Sequence, residues 1–154
     1  MARLKFYVKE QELFPYEFKL IVNNQHHVKL IVGKLCRHYK VSIPNVIFTG
    51  RTWAMYFKAS KGKKAIIRFP KKINMLMICH EVAHHYNLIK KGNYNHSKKL
   101  MTTIKRFVNY CRKKDYWGFT CMHSITDYTL ESLTELVGWT SVTELKKHYN
   151  IGDN

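Results

Sequence analysis

Apolar positions recur at helical spacing over residues 24 to 40 (NQHHVKLIVGKLCRHYK). Val28, Ile31, Val32, Leu35 and Tyr39 share one face, and Lys29, Lys34 and Arg37 lie off it, which predicts an amphipathic helix. Gly33 weakens it slightly, and Pro44 helps to end it. The period then shortens. Asn45 to Thr49 is rich in β-forming residues and stops at Gly50. In Thr52 to Ala59, Trp53, Met55 and Phe57 alternate with Ala54, Tyr56 and Lys58, and in Lys64 to Phe69 one face carries Ala65, Ile67 and Phe69. Ser60-Lys61-Gly62-Lys63 between the last two runs has hairpin-turn chemistry. The three runs predict a small sheet, mainly antiparallel, closed off by Pro70.

A longer apolar pattern predicts a helix from about Asn74, as its N-cap, to about Lys91, ended by Gly92. Its first half is apolar nearly all round, as a helix buried on most sides must be. Another helix starts near Ser97 and aligns Leu100, Ile104, Phe107, Val108 and Cys111. Lys98, Lys99, Lys105, Arg106, Arg112 and Lys113 fall on its other side. Residues 114 to 127 read as irregular. The tail reads as two short helices around Gly138-Trp139, the second opened by the capping box Ser141-x-x-Glu144. The order is N-terminal helix, three strands, two helices and a short helical tail, which is an α+β arrangement. At 154 residues, 45 % of them hydrophobic, the chain fits a single domain, 1–154, with one core.

Chemistry enters with the buried helix, which contains His80-Glu81-Val82-Ala83-His84, an H-E-x-x-H sequence. Residues four apart share a helix face, so both imidazoles reach one metal ion. Glu81 lies slightly round the helix, where a carboxylate takes a proton from an attacking water and returns it to a leaving amine. Catalytic zinc needs a third protein ligand and an open fourth position. His96 is the best candidate, because the turn-rich segment Lys90 to Asn95 folds the chain back over the helix. Glu131, Glu135 and His123 are its rivals. His85 points off the ligand face and reads as structural; His26, His27, His38 and His148 read as surface residues.

Charge and cysteines refine the setting. The chain has 27 Lys plus Arg against 10 Asp plus Glu, a formal net charge of +17 spread along its length. Such a field favours nucleic acid, an acidic protein or an anionic surface as a neighbour. Cys36, Cys79, Cys111 and Cys121 form no C-x-x-C pair and read as reduced, packed thiols of a cytoplasmic protein, or one associated with the nucleoid or nucleus. Met75 to Cys79 is far too short an apolar run to span a bilayer, so no membrane partner is expected. The N-terminus has no apolar leader core, and no signal peptide is read there.

The segment HEVAHHYNLIKKGNYNHSKKLMTTIKRF resembles the active-site region of SprT-like and YgjP-like zinc metallopeptidases. In these, H-E-x-x-H is followed by a turn and a third histidine in a G-H-G or N-H-S context that opens another helix. His80, Glu81 and His84 match the first element, and Asn95-His96-Ser97 matches the second. The likeness covers roughly residues 20 to 113 and leaves 114–154 as a C-terminal extension. The gap before His96 is longer than in the YgjP-like pattern, Leu100 replaces a common aromatic, and no four-cysteine zinc ribbon follows. The resemblance implies a zincin-like layout, bound Zn2+ and hydrolysis of protein or peptide substrates. Ala65 to Phe69 would be the edge strand that pairs with substrate. Tyr94, Tyr116, His123 and Tyr128 are candidates for oxyanion stabilisation. SprT-like enzymes are associated with proteins held on DNA, which suits the charge and the exposed-face lysines of residues 29 to 40 and 98 to 114. The rival class is a basic nucleic-acid-binding protein with a structural or vestigial zinc site. Residues 131 to 149 faintly resemble a helix-turn-helix, though two core-packing helices explain them equally well.

Overall fold

The computed structural model describes residues 3–114, apart from 23, 51–52 and 93–94. Expectations about the irregular segment, the helical tail, the helix-turn-helix-like stretch and Cys121 fall outside the described residues. Among the described residues, five helices and three strands follow one another as α1 (Arg3–Leu13), α2 (Pro15–Lys19), α3 (Gln25–His38), β1 (Asn45–Phe48), β2 (Met55–Phe57), β3 (Ile66–Phe69), α4 (Met75–Lys91) and α5 (Lys98–Lys113). The fold is α+β, as the periodicities indicate.

α4 is the hub, packed against α2, α3, α5 and β2. Asn74 caps it, its side chain accepting from the Met77 amide at 2.7 Å. Gly92 ends it in the left-handed region, with φ at 75° and its amide bonded to the Leu88 carbonyl. Met75, Leu76, Ile78, Cys79, Val82 and Ala83 are all buried, so this helix is apolar on most sides, as its sequence suggests. α5 is capped by Ser97 and buries Leu100, Ile104, Phe107, Val108 and Cys111, the stripe its spacing predicts. Arg112 departs from the exposed basic face: it is half-buried and holds Glu17 with a two-pronged ion pair, at 2.5 and 3.2 Å. α3 buries Val28, Ile31, Val32, Leu35 and Cys36. Cys36, Cys79 and Cys111 are free, buried thiols, with the Cys79 and Cys111 sulfurs 3.9 Å apart.

The sheet corrects two expectations. Its order is β1-β3-β2, with β2 antiparallel and β1 parallel to the central β3, so the sheet is mixed rather than mainly antiparallel. The β2–β3 hairpin forms where the turn chemistry puts it, with Lys61 and Gly62 both at positive φ and Ser60 bonded to Lys63. The chain runs up, down and up. Alternation within a strand records which face is buried and is silent on which neighbour it pairs with. β1 bypasses β2 and pairs with β3, Val46 opposite Ile67, which makes that pair parallel. β3 is therefore no edge strand, and residues 65 to 69 cannot be the pairing edge for a substrate. Ala65, Ile67 and Phe69 nevertheless share the buried face, as their spacing requires.

α1 and α2 are elements that the hydrophobic pattern does not announce. Phe6, Glu10 and Phe14 are the buried positions at helical spacing there, and a carboxylate in the middle hides the stripe. The unit is fixed where residues 20 to 22 meet the entry of α4. The Met75 amide bonds to the Leu20 carbonyl at 2.9 Å and the Val22 amide to the Ile73 carbonyl at 2.8 Å.

Candidate metal centre

His80 and His84 stand one turn apart on α4, and His96 precedes the cap of α5. The third ring lies against the first two. The Nε2 atoms of His80 and His84 are 3.1 Å apart, and those of His80 and His96 are 3.3 Å apart. All three side chains offer nitrogens within 4.8 Å of one another. His80 and His84 are 3 % and 5 % exposed, and His96 is half-buried. The cluster can bind a metal ion. Zinc–nitrogen bonds of ~2.0–2.1 Å in a tetrahedron separate neighbouring nitrogens by roughly 3.3–3.4 Å, close to the His80–His84 and His80–His96 separations.

The contact between His80 and Glu10 is compatible with such an ion. The His80 Nδ1 is 2.5 Å from Glu10 Oε2, and with Nδ1 as the donor the Nε2 lone pair faces His84 and His96. One lone pair accepts one proton from a neighbouring ring; a shared cation satisfies all three nitrogens at once. Glu10 is only 4 % exposed. Burial pushes its carboxyl up to about 8, so a positive charge at the triad is what would hold it ionised near neutrality. α1 also supplies aromatic walls. Tyr7 stacks on His80 at 5.3 Å and 17°, while Phe6 meets His80 and His96 edge-on at 5.7 and 5.1 Å.

Glu81 is buried and shares a cavity of about 140 Å3 with His80. The cavity opens between α1, α2, the segment entering β2 and the first turns of α4. His85 faces away from the cluster. Its Nδ1 accepts from the Tyr56 hydroxyl at 2.8 Å, and its Nε2 donates to the Ser42 carbonyl at 2.6 Å. Burial pushes His85 below the ordinary imidazole value, so it pins α4 to β2 and the α3–β1 loop as a neutral ring.

The structure thus brings His80, His84 and His96 together and sets Glu81 beside them. Glu131, Glu135, His123, Tyr94, Tyr116, Tyr128 and His148 lie outside the described residues. His26 and His38 are exposed and His27 half-buried, apart from the cluster. Sequence reasoning missed Glu10, Phe6 and Tyr7, whose one signal is the i, i+4 spacing of Phe6, Glu10 and Phe14. No family model, curated protein or solved structure matches the chain. No helix among the described residues is long and apolar enough to cross a membrane.

Proposed function

We propose that the protein is a zinc-dependent metallopeptidase, with His80, His84 and His96 holding the ion. The observation that carries the reading is the convergence of three imidazole nitrogens at 3.1 and 3.3 Å beside a buried glutamate that faces a cleft. The two motif segments that resemble SprT-like and YgjP-like enzymes are the segments that meet there. When bound, the ion supplies Lewis acidity, polarising a scissile carbonyl and making a water easier to deprotonate. Glu10 holds His80 in the tautomer that offers Nε2. Glu81 takes the proton of the attacking water and delivers it to the leaving amine nitrogen. The aromatic walls of α1 keep bulk water from one side of the triad. β2 replaces β3 as the strand along which a peptide would pair, because it is an outer strand and its entry residues, Trp53 and Ala54, line the cleft.

Glu81→Gln tests this directly. Peptide or casein cleavage should fall by roughly 100-fold to 10,000-fold, the usual worth of a positioned acid–base group, with zinc still bound. Unchanged cleavage would sink the assignment.

A second reading, a nucleic-acid-binding protein with a structural zinc site, draws on the exposed Lys98, Lys99, Lys105, Arg106 and Lys113 of α5 and on Lys29, Arg37 and Lys40 around α3. The two readings combine if the substrates are proteins held on nucleic acid. Phosphate contacts by these faces require affinity to fall linearly with log salt concentration, and an interaction indifferent to salt removes them.

A further inference from the structure

The cleft beside Glu81 and His80 has walls unlike its floor. Phe18 of α2, Trp53 and Ala54 at the entry to β2, and Leu76 and Met77 of α4 form an apolar lining. Trp53 is 69 % exposed, a large aromatic surface left in water next to an apolar hollow. Such a surface gains free energy when it is covered. The volume, about 140 Å3, is close to the ~150 Å3 of an apolar cavity that accepts benzene. It holds one large side chain.

We propose that this cleft is the subsite for one large apolar side chain, of the leucine, methionine or phenylalanine class, in a residue flanking the scissile bond. The inference rests on the metallopeptidase reading for the identity of its occupant. A peptide following the outer side of β2 starts at the rim formed by Trp53 and Ala54, and a side chain entering there arrives beside His80 and Glu81. An acidic side chain would meet Glu10 and Glu81 at the floor and would be desolvated against the apolar walls. Glycine would leave those walls wet. Lysine is the informative competitor, since its ammonium is drawn to the carboxylates while its stem suits the walls.

The experiment uses capped peptides identical except at one position, which carries leucine, phenylalanine, lysine, aspartate or glycine. Binding is measured by calorimetry to the zinc-loaded Glu81→Gln protein, and cleavage of the same peptides by the wild type is followed by mass spectrometry. Leucine and phenylalanine peptides should bind roughly 10-fold to 100-fold more tightly than the glycine peptide, the range expected for burying one such side chain. Ala54→Phe and Met77→Trp, which fill the cleft from different elements, should each erase that preference with zinc content unchanged. Cleavage accompanied by flat binding overturns the subsite and leaves the peptidase assignment standing. Apolar-selective binding without cleavage keeps the subsite and removes the hydrolase. Preference for lysine, or an apolar preference that survives both filling variants, also overturns the subsite.

Discussion

Glu10 shows how one residue reports on a site several elements away. A carboxyl group this deeply buried is costly unless a donor and a positive charge face it. His80 provides the donor at 2.5 Å, and a metal on the far nitrogen of the same ring would provide the charge. Glu10→Ala should therefore weaken zinc binding by roughly 10-fold to 100-fold, measured by competition with a chromogenic chelator, as expected for a partner that orients a ligand. Unchanged affinity would reduce Glu10 to packing. Cys36 makes a different prediction at the same scale. Burial pushes its thiol up to about 12, against the pull of the Arg37 guanidinium. The folded chain keeps this proton at a pH where the unfolded chain releases it, so the stability it contributes is intact below about 9 and is lost as the pH rises toward 12. Urea midpoints at pH 8 and pH 10.5 should show a smaller loss for Cys36→Ala than for the wild type. An equal loss would show that Cys36 does not titrate this way.

At the scale of elements, α2 and α5 are joined by the ion pair between a fully buried Glu17 and Arg112. Arg112→Met removes the guanidinium that faces the buried Glu17 carboxylate and should cost about 3–5 kcal/mol in chemical denaturation, far more than replacing an exposed lysine of the same helix. A cost below about 1 kcal/mol, the range for an exposed pair, would mean that the pair is solvated. Helices α3, α4 and α5 were legible in the sequence from their apolar stripes, and Asn74, Ser97 and Gly92 mark ends that the structure uses. The H-E-x-x-H spacing made His80 and His84 legible for the same reason. His96 was suggested by the turn-rich composition of residues 90 to 95 and by its place at the start of the next helix. What stayed hidden is physically of one kind. The partner of β1, the central place of β3 and the approach of α1 to the triad are tertiary choices, and neither periodicity nor capping encodes them. Glu10 was hidden because a charged residue on a buried face breaks the pattern by which buried faces are recognised.

For the molecule as a whole, α4 and α5 tie two properties together. Their junction builds the histidine cluster, and α5 also carries an exposed cationic face on a chain of +17 net charge. Arg106 sits over Tyr39 and Tyr86, and Lys114 over Tyr110, so cations and aromatic rings are interleaved near the far end of α5. The centre and the charge are separable by mutation, and the centre is the claim on which the rest depends. The most direct test is the zinc content of the purified, untagged protein by elemental analysis after equilibration with zinc, beside His96→Ala. The account requires about one tightly held zinc per chain, and a labile or lost ion in the variant, as for a three-histidine site. Wild-type protein that holds no zinc, or a His96→Ala variant that holds it as tightly, would contradict the account.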